Sequence, residues 1–182
     1  MTDIWSLWMG RQDWVRDGDG PALGLGPTGA FDDGHILSPC VAVEDGLYRM
    51  WYVGSRGTVA ERVYSMGLAT SRDGVRFSRR AEPVLSFADG RRSVLTPALL
   101  RNADGSLRRE GGRLRMWISC CDFLSGSSRH TLHETGSDDG TAWDPPSPAL
   151  LEGVYAPTVI QEGGTFRMWF ADVREDPWAN RQ

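Results

Sequence analysis

Three carboxylates in this chain, Asp32, Asp33 and Glu152, have the type and placement to act as a paired acid and base. Cleavage of a glycosidic bond needs two such groups, one as acid and one as base or nucleophile. Asp33 or Asp32 suits the base and Glu152 the acid. His35, Arg92, Thr96, Asp122 and Tyr155 lie near them in the pattern as candidate substrate-binding residues. For each acid taken alone, a solvated loop position is the plainer reading. Asp73 and Asp139 are turn formers, because each sits in a Ser-x-Asp-Gly hairpin. His130 and His133 stand three apart in a predicted strand, so their side chains point to opposite faces and do not share a metal. The adjacent Cys120-Cys121 pair fails as a metal pair for the same reason, and no cofactor or metal is expected. No glycine-rich phosphate loop and no Ser-His-Asp arrangement is present.

These residues must be positioned by a repeat. Leu47-Tyr48-Arg49-Met50-Trp51-Tyr52, Arg113-Leu114-Arg115-Met116-Trp117-Ile118 and Thr165-Phe166-Arg167-Met168-Trp169-Phe170 share Arg-Met-Trp among apolar neighbours. Each follows a Gly-bearing turn: Asp45-Gly46, Gly111-Gly112 and Gly163-Gly164. Upstream of each turn runs an apolar segment with a proline near its start, at Pro39, Pro97 and Pro157. A fixed period holding several short β-rich runs is the mark of a propeller. The expected fold is therefore all-β, a β-propeller of four-stranded antiparallel blades.

Residues 1–34 read as a terminal outer strand and crossing, 35–85 as blade one, 94–151 as blade two and 154–182 as a half blade. In each blade an aromatic followed by Pro-x-Leu (Trp14, Phe77, Trp143) marks the outer fourth strand and the crossing to the next blade. Two and a half blades do not close a ring. The count leaves a piece of a longer propeller, or a homodimer in which the N-terminal strand of one copy joins the half blade of the other in a six-bladed ring. Strand direction puts the strand two–three loops and the strand four–one crossings on one rim. That rim carries the candidate acids, and the Ser-x-Asp-Gly turns fall on the other.

Composition bounds the rest. The net charge of −4 leaves no basic footprint for nucleic acid. The 20 basic residues are all arginine, a bias that genome composition explains before anion recognition does. Three cysteines make no disulfide framework. There is no run long enough to span a membrane and no leader-like start, so a cytoplasmic location is expected.

The stretches Gly29-Ala30-Phe31-Asp32-Asp33 into Ser38-Pro39-Cys40-Val41, Asp45 to Tyr52, Ala69-Thr70-Ser71-Arg72-Asp73-Gly74, and Tyr155-Ala156-Pro157-Thr158-Val159-Ile160 resemble the five-bladed β-propeller glycosidase superfamily. That group includes arabinanases and β-xylosidases of glycoside hydrolase family 43, invertases, levansucrases and mannoside phosphorylases. The resemblance covers about residues 13–175 and implies a five-bladed ring with a carbohydrate ligand in its axial funnel. Arabinanase-like members carry a catalytic Asp just before the strand-one proline in two successive blades and a Glu two residues before it in the next. Here those positions are Ser38, Thr96 and Tyr155, none of them acidic. The resemblance thus implies either glycosidase-like recognition and hydrolysis through the nearby acids, or a carbohydrate-binding propeller without catalysis. A protein-interaction scaffold is a third reading.

Overall fold

A computed structural model describes residues 13, 15–16, 18–58, 62–125 and 129–173. The Trp14 strand of the sequence reading, and any pairing by residues 1–12, lie outside the described residues. Three sheets, antiparallel except for one short parallel pairing in the third, follow one another around an axis. The first contains β1 (His35–Glu44), β2 (Leu47–Ser55), β3 (Ser65–Ser71) and β4 (Ser78–Arg79), in that order. The second is built from β5 (Ser93–Leu99), β8 (Arg113–Cys121), β9 (His130–Ser137) and β10 (Leu151–Glu152), again in blade order. Between β5 and β8 the chain forms β6 (Arg101–Asn102) and β7 (Arg109–Glu110). The third sheet pairs β11 (Val154–Glu162) with β12 (Thr165–Asp172). The architecture is all-β and that of a partial propeller, and no helix among the described residues is long and apolar enough to cross a membrane.

Two details differ from the sequence expectation. The long hairpin after β5 is not a plain loop: β7 pairs with β8, and β6 adds to the third sheet in parallel with β11, Ile160 opposite Arg101. The outer fourth strands are also shorter than the aromatic markers suggest, and Phe77 and Trp143 lie ahead of them. In blade two the outer segment meets β9 through separate backbone bonds, Asp144 N to Gly136 O, Ser147 N to Glu134 O and Leu150 N to Leu132 O, each 2.8 Å. Pro145, Pro146 and Pro148 interrupt it, and a proline has no N–H to give a ladder.

Each innermost strand bends at its proline. In β1 the register jumps between Leu37 and Cys40, so Ser38 and Pro39 oppose one residue of β2. The same jump falls between Leu95 and Ala98 and between Tyr155 and Thr158. Ser38, Thr96 and Ala156 adopt φ of 51°, 32° and 50°. A proline drives the residue before it away from the right-handed helical region, and a bulge needs one residue off the pleat. A non-glycine residue in the left-handed region is strained, and this strain recurs three times around the axis.

Strand alternation decides what each blade faces. Trp51 and Val53 of β2 enter the core shared with blade two, while Met50 and Tyr52 face the opposite way. Met116 and Ile118 of β8 meet blade one in that same core, and Trp117 faces blade three with Leu132, Val154 and Val159. Each tryptophan therefore points forward to the next blade, and each methionine points back.

Candidate functional site

The three bulges converge on an axial cleft of about 360 Å³. It is lined by Ser38–Val41 of β1, Thr96–Leu99 of β5, Ala156–Val159 of β11, and Arg101. The strands are tied across it by side chains. Thr96 Oγ1 hydrogen-bonds Ser119 Oγ and accepts a bond from Ala156 N at 3.2 Å. Arg101 reaches over to donate to the Val41 carbonyl at 2.6 Å. The lining is hydroxyl, proline, aliphatic, one thiol (Cys40) and one guanidinium; no carboxylate is among these residues.

At the rim above the cleft a line of rings crosses three blades. His35 at the start of β1 lies 6.3 Å from Tyr64, Tyr64 lies 6.2 Å from Phe123, Phe123 lies 6.5 Å from His130, and His130 lies 5.1 Å from Tyr155 at the start of β11. Arg62 stacks over Phe123 at 4.9 Å. The structure thus gathers His35 and Tyr155 with three rings that the motif reading did not group with them. Tyr64 and Phe123 flank the strand two–three loops, on the rim that strand direction had marked. Topology was the signal that would have found them.

The acids occupy other surroundings. Asp32 is fully buried in blade one; its Oδ2 accepts from Tyr52 Oη at 2.8 Å and from Arg79, while Oδ1 has no hydrogen-bond partner. Arg79 also donates to the carbonyls of Gly24 and Leu25, so the pair staples the crossing to β4. The packing is close: a Cβ on Gly54 would fall 2.4 Å from Asp32 Cβ. Asp33 accepts the Gly29 N–H at 2.7 Å and closes the turn before β1. Glu152 sits on β10 with its side chain 66% exposed, 3.8 Å from Arg129. Arg92 pairs with Asp89 at 2.5 Å and stacks on Phe87 at 4.3 Å. Asp122 accepts from Ser125 N at 3.1 Å and from Arg91 at 3.1 Å, capping a single 3-10 turn, Phe123–Ser125. None of Asp32, Asp33 and Glu152 lines the axial cleft.

His133 is buried between Thr131 Oγ1 at 2.9 Å and the Ser147 carbonyl at 2.7 Å. Burial lowers its pKa and holds the ring neutral. Burial pushes the thiols of Cys120 and Cys121 up to about 11, so neither is a thiolate near neutral pH. Asp89 is held at about 2 by the backbone N–H groups of Arg91 and Arg92 and then by the Arg92 side chain.

Solved structures that share this fold include glycoside hydrolases. A glycoside hydrolase of the GH130 mannoside phosphorylase family, described as targeting β-1,2 mannosidic linkages in Candida mannan, superposes with a TM-score of 0.66 at 15% identity, covering 89% of this chain and 55% of its own. The chain has part of the fold of the propeller glycosidases. A GH32 β-fructofuranosidase of Bombyx mori matches with a TM-score of 0.56 at 19% identity, over 74% of this chain and 28% of the enzyme. A glycosyl hydrolase from Bacteroides ovatus gives 0.57 at 16%, over 78% and 44%. The chain thus spans about half or less of the propeller glycosidases it matches. No family model and no curated protein sequence matches it.

Proposed function

We propose that this chain is a carbohydrate-recognising part of a glycosidase-like propeller, with a second copy of the chain as its protein partner. The sugar lies against the rim rings and reaches into the axial cleft. The observation that carries this reading is the unbroken line from His35 to Tyr155 above the three bulges. The part-exposed rings of His35, Phe123, His130 and Tyr155 offer apolar faces for sugar C–H groups, and buried Tyr64 backs them. Imidazole and phenol edges, with Ser38 below, offer hydrogen bonds to hydroxyls.

Recognition is favoured over cleavage because Asp32 is committed to Arg79 and Tyr52, and no acid lines the cleft. Hydrolysis is the second reading, with Asp33 as base and Glu152 as acid. It is favoured by the position of both residues in the strand-one crossings. A glycan array followed by titration of the best-bound oligosaccharide tests the pair of readings. Tyr155→Ala should weaken binding by about tenfold or more, and the Asp33→Asn, Glu152→Gln double variant should leave binding intact. An array with no bound glycan sinks recognition. Turnover of a bound glycan that the double variant abolishes replaces it with hydrolysis.

A further inference from the structure

The contact between blades one and two shows how this repeat joins a neighbour. Trp51 Nε1 donates to the Gly140 carbonyl at 2.9 Å, and Arg49 donates to the Asp139 carbonyl at 2.6 Å. Both acceptors belong to the Ser-x-Asp-Gly turn of blade two. That turn is a socket: a Cβ at Gly140 would stand 2.7 Å from Trp51, 3.2 Å from Leu114 and 3.3 Å from Arg49. Its shape is set internally, with Gly140 N on Ser137 Oγ at 2.8 Å and Ala142 N on Asp139 Oδ1 at 2.9 Å.

The same turn geometry recurs in blade one, and among the described residues no tryptophan donates to it. Gly74 N bonds Ser71 Oγ at 2.9 Å, and Arg76 N bonds Asp73 Oδ1 at 3.0 Å. The atoms nearest a Cβ at Gly74 all belong to Tyr48, at 3.0 to 3.4 Å, and Tyr48 is the counterpart of Leu114. Neither a tryptophan nor an arginine among the described residues supplies any of those nearest atoms. Among the described residues no donor reaches the Gly74 carbonyl. The back of blade one is otherwise prepared for a neighbour, since Leu23 packs there in the place that Leu85 takes between blades one and two. At the far end of the molecule the reverse holds. Trp169 is 55% exposed, and the Arg167 side chain is 57% exposed. Alternation points both forward, and among the described residues no strand stands in front of them and β12 is paired on one edge only.

We infer that a second copy of this chain supplies each missing half. Trp169 of one copy enters the Ser71–Gly74 turn of the other, its Nε1 donating to the Gly74 carbonyl and Arg167 donating to the Asp73 carbonyl. Exposed Arg72 on the turn faces the acid Glu162, which sits 3.0 Å from Arg167. Each copy carries one tryptophan and one socket, so two copies make two identical contacts and close on themselves. Closure buries the ring of Trp169, which is otherwise exposed. The inference rests on the second-copy part of the proposed function and is independent of the ligand.

Sedimentation equilibrium of the whole chain tests it, beside Trp169→Ser and Trp169→Phe, with circular dichroism to check that the variants fold. The expected mass is twice 20.2 kDa. Trp169→Ser should weaken association by about 30-fold or more, as for a central interface tryptophan. Trp169→Phe, which keeps a ring and loses the N–H, should fall between. A single-copy mass at all concentrations, association that Trp169→Ser leaves unchanged, or open-ended growth beyond two copies would each overturn the inference. The glycan titration, repeated on Trp169→Ser, separates the two ideas. A glycan-binding monomer removes the contact and leaves the ligand, and a dimer that binds no glycan does the opposite.

Discussion

Blade one and blade three carry the same Arg-Met-Trp strand, yet Trp51 is 0% exposed and Trp169 is 55% exposed. Trp117, with a half blade in front of it, is 5% exposed. The local sequence makes a strand in all three cases, with the tryptophan forward and the methionine back. What differs is the neighbour. Strand formation is a property of the segment, and burial is a property of the pair of blades.

The largest expected effect follows directly. Trp51→Ala should cost about 3–5 kcal/mol in urea unfolding, as for a fully buried large aromatic. Trp169→Ala, measured at a dilution where the chain is a single copy, should stay within about 0.5 kcal/mol. Equal losses at the two sites would break the comparison.

The ion pairs of the first two blades extend it. Asp32–Arg79 is buried on the acid side, whereas the Asp89–Arg92 side chains are 37% and 44% exposed. Arg79→Met leaves a carboxylate buried and should destabilise by about 3 kcal/mol. Arg92→Met should change stability by about 1 kcal/mol or less, because solvent screens an exposed pair.

Two glycine turns sharpen the role of the socket. Gly140→Ala places a Cβ 2.7 Å from Trp51 at a φ of 77° and should cost about 2–3 kcal/mol. Gly112→Ala, at a φ of 83° with nothing within 4 Å, should cost about 1 kcal/mol from strain alone.

The smallest effect is on pH dependence. His133 has its pKa lowered by burial, so the unfolded chain binds the proton first. Its contribution is fully present above the ordinary value of 6.5 and is lost as pH falls through the lower folded value. Unfolding free energy should therefore drop below pH 6.5, and His133→Gln should flatten that slope.

Much of the blade plan was legible because its causes are local. Proline before an apolar run, glycine at a hairpin and alternation along β2 are read from neighbours in the chain. The outer strands were less legible, since the prolines after Trp143 remove ladder donors without removing the path. The β6 pairing with β11 was not legible at all, because its partners lie some sixty residues apart and nothing in Arg101-Asn102 announces a strand. The candidate site divided the same way. His35 and Tyr155 could be placed on one rim from strand direction. That Asp32 would turn inward to Arg79, 47 residues away, could not.

By itself the sequence determined the period, the hairpin turns and the strand faces, because turn chemistry and side-chain alternation act over a few residues. Only the tertiary structure decided which acid is buried, which rings meet at the rim and which tryptophan is left without a socket. Those outcomes depend on what packs across a blade interface, and the physics of burial and desolvation acts there rather than along the chain.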